Sequence, residues 1–409
     1  MPVLEEIPQA ARDRIGEIGT ADLVIGLVMP GSPEGLDHAI AHARQAIGDL
    51  YTQNRSVVVY SGSVSLPDDA PEDDHLRTIA VPLYSPDSAL DWADSIRSAC
   101  DKILAIAINL GARAVAMIVS ELELVTPQWI HQLVRPVLEL DFDLVTPCYS
   151  HGRFEGLLNG AIVAPLTRAL YGRRIQHPLG PDFGFSSRLA KHITEHPSAR
   201  ERASLASLSV DAICHGFEVC QANLGIRHYP AVDWTNQSSV LVQILDPVFR
   251  EIEHRAPFWQ RVRGSQTASL FGEPAGSPPA SATLDARRLF ESFQLGWRNL
   301  QELWSAVLPP GRMLELNRLA RAPLDKFHMP DALWAHIVYD FAIGYHVRIL
   351  NADHLLRAMT PLFLGWIASY ALEPEPNSVD ARLEELSLAF ENAKPYALSR
   401  WRWPDRFIP

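Results

Sequence analysis

The run Val115-Ala116-Met117-Ile118-Val119, followed by Ser120-Glu121-Leu122 and then Thr126-Pro127-Gln128-Trp129-Ile130, sets the terms for the rest of the chain. Five consecutive apolar residues, several of them β-branched or bulky, read as a strand buried in a sheet covered on both faces. Thr126 offers an N-cap oxygen. Pro127 falls at the first helical position, where its missing N–H costs nothing. The stretch is therefore a strand, a short acidic turn and a helix. In open α/β sheets ligands bind beyond the carboxyl ends of the strands, and Ser120 and Glu121 occupy that end.

The same alternation extends on both sides. Residues 21–29 read as a first buried strand and 35–50 as a helix with Leu36, Ala39, Ile40, Ala43, Ala46 and Ile47 on one face. Residues 56–60 form a second strand, ending in Ser61-Gly62-Ser63. Residues 78–83 form a third, placed at an edge by Pro82. A long helix over 88–110 is closed by Gly111 in the left-handed conformation. Residues 143–147 read as another strand. Residues 160–174 read as a helix with paired arginines near its end, and 176–186 as a Gly/Pro loop carrying one buried-type acid, Asp182. Ser209-Val210-Asp211 opens a helix, and 217–224 is a strand running into Arg227-His228. Strands alternating with helices give an α/β class with a mostly parallel sheet flanked by helices. Residues 264–283 turn to Gly, Ser, Pro and Ala, a linker or mobile loop. Beyond it the pattern is helical: 289–308, stopped by Pro309-Pro310, then 331–350, 353–372 and 379–393. The organisation expected is an α/β domain over 1–263, the linker over 264–283 and a C-terminal helical domain over 284–409.

Composition narrows the function. A net charge of −12 argues against a general nucleic-acid or membrane-surface binder. No uninterrupted apolar run reaches the length of a membrane span. Residues 1–18 lack the apolar core of a signal peptide, so a cytoplasmic protein is expected. Cys100, Cys148, Cys214 and Cys220 have no metal-binding or disulfide spacing and read as buried, reduced thiols. No nucleophile elbow and no Walker-type loop is present.

Four blocks carry a resemblance: Val125-Thr126-Pro127-Gln128-Trp129-Ile130, Pro165-Leu166-Thr167-Arg168-Ala169-Leu170-Tyr171-Gly172, Asp182-Phe183-Gly184-Phe185-Ser186, and Leu333-Trp334-Ala335 with Tyr339-Asp340-Phe341. With them the chain resembles, from about residue 21 to 401, retaining GT-A glycosyltransferases related to glucosyl-3-phosphoglycerate synthase, glucosylglycerate synthase and mannosylglycerate synthase. The resemblance implies a GT-A type sheet and transfer of a hexose, with retention, from a nucleotide-sugar donor to a small acid such as glycerate or 3-phosphoglycerate. It also implies Mg or Mn and a homodimer. Carried over by position, Glu121 and His228 are metal ligands, and Asp211 and Asp182 are catalytic. Donor contacts fall on Gly26, Val28, Gly62, Ser120 and Glu121, with Arg97 and Lys102 as cationic substitutes. Acceptor contacts fall on Arg168 and Gly180.

The departures lie along the donor side. Val119-Ser120-Glu121 stands where the family has Asp-x-Asp, Ser61-Gly62-Ser63 where it has Ser-Asp-Gly, and no Gly-Lys-Gly precedes Ala89. An alternative therefore stands beside the enzyme: a catalytically inactive relative, or pseudoenzyme, acting as a binding or partner subunit. Each residue also has a plainer reading. Glu121 is an acid at a strand end, Asp211 an N-cap, His228 a surface histidine, and Arg168, Arg173 and Arg174 a helix C-terminal charge pattern. His336 and Asp340, four apart, pair with each other. His346 and His354 read as domain packing rather than a second metal cluster.

Overall fold

The structure, a computed structural model, describes residues 7–28, 35–50, 55–62, 76–82, 92–119, 122–196, 205–227, 237–273, 284–376 and 378–403. The strands are β1 Leu23–Val28, β2 Ser56–Gly62, β3 Leu76–Pro82, β4 Ala114–Ile118, β5 Leu144–Ser150, β6 Arg173–Arg174, β7 Phe183–Ser186, β8 Val219–Ile226, β9 Gln266–Thr267 and β10 Leu270–Phe271. The chain divides into two compact units. The first takes residues 1–149, 175–226 and 268–276, and the second 150–174, 227–267 and 277–409. Two segments upstream of residue 264 thus count with the C-terminal helices.

The first unit is built on one sheet of order β10-β8-β5-β7-β4-β1-β2-β3. β1 runs parallel to β2 and β4, β2 parallel to β3, and β8 parallel to β10, whereas β7 is antiparallel to both β4 and β5. The sheet is mostly parallel and flanked by helices. The expected edge strand is at the edge: β3, ending at Pro82, closes one side of the order. Leu23, Ile25, Leu27, Ala114, Ala116 and Ile118 face one layer, where they pack with Ala39, Ala43, Leu133 and Val134 from helices Leu36–Leu50 and Pro127–Leu140. Thr126 caps the second of these helices by accepting from the Trp129 N–H at 3.1 Å, and Pro127 opens it. Gly26 points toward the other layer: a Cβ there would stand 2.6 Å from Ile103 Cγ2 of helix Trp92–Asn109. That helix is closed by Gly111 with φ 72°.

β7 departs from expectation. The Gly/Pro segment read as a loop becomes a strand at Phe183, wedged between β4 and β5. Gly184 makes this possible, since a Cβ would lie 2.1 Å from the Leu133 carbonyl oxygen.

The second unit is helical. Its long helices are Gln237–His254, Ala286–Val307, Pro310–Arg321, Asp331–His346, Ala352–Leu372 and Val379–Arg402. Pro309-Pro310 does end one helix, but Pro310 also opens the next, the N1 position proline favours. Helix Ala352–Leu372 has the length and apolarity of a membrane span, yet 78% of its most apolar window is buried in the unit. Its close contact with Ala286–Val307 rests on Gly296, where a Cβ would meet Pro361 Cβ at 2.3 Å. Trp304 Nε1 donates to the Ala358 carbonyl (2.8 Å) and Trp334 Nε1 to the Ala161 carbonyl (3.0 Å), so each ring is buried with its polar atom satisfied. Phe293 and Phe341 are fully buried, each contributing roughly 1.5–3 kcal/mol. Asp340 does not make the expected pair with His336. It is buried and held by Arg400, Tyr396 and Arg312, while His336 bonds the Ala332 carbonyl. His346 packs as expected, on Glu253 and flat against Trp401.

Candidate functional site

In the first unit the chain leaves β1 outward to β2 and β3, then returns to place β4 on the other side of β1. Such a reversal opens a crevice outside the carboxyl ends of the two central strands, the position where open α/β sheets bind ligands. Val28 ends β1, Gly62 ends β2 opposite Pro82, and Val119 follows β4. β7 enters at the same edge, because Phe183 pairs with Met117 near the end of β4 and the strand then runs backward.

Asp182 stands at that entry and is fully buried. Its Oδ1 accepts from the Val119 N–H at 2.9 Å and its Oδ2 from the Tyr149 hydroxyl at 2.5 Å. One carboxylate thereby ties the ends of β4 and β5 to the start of β7. A buried charge needs this kind of partnering. Tyr149 lies edge-on to the buried His177 ring, 5.5 Å between centroids, and beside Trp129. The turn from His177 to Gly180 is closed by the Gly180 N–H on the His177 carbonyl at 2.9 Å. A Cβ on Gly180 would fall 1.9 Å from Pro147 Cγ, so packing alone demands glycine there.

The residues expected to form the site are distributed as follows. Val28, Gly62 and Asp182 share the carboxyl edge. Arg97 lies near it: Ile103 is level with Gly26, and Arg97 is six residues, about 9 Å, further toward that edge along the helix. Lys102 stays level with mid-strand, beside the sheet rather than at its end, and Gly26 is mid-strand under Ile103. Neither therefore stands at the carboxyl edge. Ser120, Glu121 and His228 lie outside the described residues, although Val119 and Leu122 frame the first two. Arg168 belongs to the second unit, where it is buried between Glu384 (2.6 Å) and Glu391 (2.9 Å) of the last helix. Arg173 and Arg174 form a short parallel pairing with Gln266 and Thr267.

Asp211 is placed elsewhere. It sits in the last turn of helix Leu205–Cys214, not at its N-cap. The helix leads through Phe217 into the start of β8, where the Glu218 carbonyl accepts from the Asp143 and Leu144 N–H groups at the start of β5. That is the amino edge of the sheet. From Asp143 to Tyr149 the strand covers about 20 Å at ~3.3 Å per residue. Asp211 and Asp182 are therefore not brought together.

At this opposite edge Asp211 gathers histidines. His192 Nε2 is 3.0 Å from its Oδ2 and His215 Nδ1 is 3.3 Å from its Oδ1, with that Nδ1 also 2.9 Å from the Asp211 carbonyl. The His192 ring lies 4.3 Å from that of His215 and 4.6 Å from that of His196. Burial first, and then the two neighbouring rings, hold the His192 pKa below its usual range against the pull of Asp211. The signal was in the sequence as two i,i+4 spacings, His192 with His196 and Asp211 with His215, each bringing two ligand residues together at the end of a helix. Only the packing of the two helices shows that these ends meet.

No protein-family profile matches the chain, and no curated protein does. Among solved structures it is similar to a mycobacterial protein (17% identity, TM-score 0.39, over 60% of this chain and 79% of the other). It is also similar to glucosyl-3-phosphoglycerate synthase from Mycobacterium tuberculosis, solved with phosphoglyceric acid (17%, TM-score 0.38, 58% and 83%). A third is mannosyl-3-phosphoglycerate synthase from Rubrobacter xylanophilus (15%, TM-score 0.38, 64% and 82%). Likenesses this distant do not establish an activity.

Proposed function

We propose that this chain is a glycosyltransferase of the GT-A type, which binds a nucleotide-sugar at the carboxyl ends of β1, β2 and β4 and passes the hexose, with retention, to a small acid such as glycerate or 3-phosphoglycerate. The observation that carries the reading is the reversal of strand order between β1 and β4, which opens a crevice at the edge where Val28 and Gly62 end and Ser120 and Glu121 follow. Asp182 is a positioning residue in this reading: with Tyr149 it fixes Val119, the residue that precedes Ser120 and Glu121 in the chain. Arg97, on the helix that starts at this edge, would offset diphosphate charge.

The resemblance asks for a Mg or Mn ion on Glu121 and His228. Both of those residues lie outside the described ones, and Asp182 at the edge holds Val119 and Tyr149 with one bond from each oxygen. A hard divalent ion takes about six oxygen ligands or more, so donor diphosphate and water would complete the set. No step of the reaction is assigned to it. In the same reading the protein is a cytoplasmic homodimer.

The glucosyl-3-phosphoglycerate synthase has been solved with Mg2+ and uridine diphosphate, and with Mn2+, UDP-glucose and phosphoglyceric acid; these supply the probes. Calorimetry with a panel of nucleotide sugars, with and without Mn2+, is expected to show metal-dependent binding of one donor. Transfer to phosphoglyceric acid should be lost in Glu121→Ala. Failure of every donor to bind would remove the proposal. A second reading, the non-transferring relative, is favoured by the full engagement of Asp182 and by the apolar Val119 where the first acid is expected. Donor binding without transfer would select it.

A further inference from the structure

We propose that His192, Asp211 and His215 form a binding site for one divalent ion of the zinc class, separate from the donor crevice and at the opposite edge of the sheet. The donors come from two helices, Ser187–Glu195 and Leu205–Cys214, and from the turn that follows the second. One ligand atom from each of the three residues lies within 4.8 Å of the other two, and Asp211 stands 3.0 and 3.3 Å from the two rings. A tetrahedral ion with arms of about 2.0–2.1 Å has ligand–ligand edges of about 3.4 Å, close to the 3.0 Å already held between His192 Nε2 and Asp211.

The donor set selects the ion. Two imidazoles and one carboxylate suit a borderline transition ion, whereas Mg2+ and Ca2+ take oxygen ligands almost alone. Burial also suits the task. Asp211 is 10% exposed and His192 13% exposed at the side chain, while His215, at 39%, opens the cluster to solvent and gives an ion a way in. Binding converts the ion-free contacts. The Nε2–H that His192 directs at Asp211 gives way to an Nε2 lone pair on the ion, with the ring proton held on Nδ1. His215 can keep Nδ1–H on the Asp211 carbonyl (2.9 Å) and offer Nε2. An imidazole N–H on a backbone carbonyl is the usual outer-shell support of a metal-bound histidine. His196 Nδ1 is 2.9 Å from the His192 carbonyl, and its ring lies 4.6 Å from that of His192.

The test uses the full chain stripped with chelator and titrated with ZnCl2 by calorimetry, and with Co2+ by visible spectroscopy, without nucleotide. One equivalent per chain is expected, with the Co2+ spectrum of low coordination number. His192→Gln and His215→Gln act on partly exposed rings and spare the buried Asp211. Each is expected to weaken binding by about 100-fold or more, beyond the 10–100-fold typical of an outer-shell partner. His354→Gln, on the second unit, is expected to leave it intact. Circular dichroism confirms that each variant folds. Absence of stoichiometric binding, or binding that survives both substitutions, overturns the proposal. Glu121→Ala is expected not to alter it, so failure of the donor reading and failure of this site are told apart.

Discussion

Replacing Asp182 by alanine tests whether the carboxyl edge is held by one carboxylate. The side chain is fully buried and accepts from the Val119 N–H and the Tyr149 hydroxyl. Its loss leaves two buried donors without their partner, at about 1–3 kcal/mol each, so Asp182→Ala should destabilise the first unit by about 2–6 kcal/mol. Asp182→Asn keeps the shape. Its amide oxygen can still accept from Val119 and its NH2 can donate to the Tyr149 oxygen, so only the charge-assisted part of two bonds is lost, about 2 kcal/mol. Because the chain has two units, hydrogen exchange over peptides of β4, β5 and β7 is the proper assay, since it reads the opening free energy of those strands alone. A cycle with Tyr149→Phe should show coupling of about 1 kcal/mol or more between the two residues. If Asp182→Ala changed exchange in these strands by less than about 0.5 kcal/mol, the level of an ordinary surface substitution, the carboxylate would not be the tie described. Loss of transfer without loss of protection would make Asp182 a catalytic residue instead.

Two further outcomes follow from the second unit. Gly296→Ala drives a methyl to 2.3 Å from Pro361 Cβ, and the two helices must part, at about 1–3 kcal/mol; thermal unfolding should show the loss, and an unchanged midpoint would deny the close contact. Lys394 donates to the Val262 carbonyl, and burial holds its pKa down to about 8 from 10.5. Below pH 8 the folded state bears the cost of the buried charge, and between about 8 and 10.5 the unfolded chain binds the extra proton. Stability therefore rises with pH across that window, and Lys394→Met should flatten the rise in denaturant midpoints measured there.

The strands of the first unit were legible because burial on both faces writes itself as a continuous apolar run: residues 23–28, 56–60 and 114–118 have no other good reading. The cap at Thr126 and the stop at Gly111 were legible because each depends on its own neighbours. β7 was not. Four residues around a central glycine look like a turn, and only the strands on either side, with the Leu133 carbonyl filling the place of a Cβ, make them a strand. Pro310 was read as a stop because proline ends and opens helices alike, and the following helix decides between them. For the site, Val28 and Gly62 lie at the ends of strands legible in the sequence, whereas Asp182 was read in a loop and stands at the entry of β7. How far Lys102 and Asp211 stand from that edge depends on how far each helix runs along the sheet, which no local pattern records.

Residue order alone determined that this chain folds around buried parallel strands followed by helices, since local pattern and capping act over a few neighbouring residues. It determined too that acidic residues, Glu121 and Glu123, follow the strand at 114–118. Tertiary structure decided which groups meet: that Asp182 serves the backbone of Val119, that Arg168 is consumed by Glu384 and Glu391, and that Asp211 joins His192 and His215. Those contacts join residues far apart along the chain, and no local periodicity carries the packing that brings them within bonding distance.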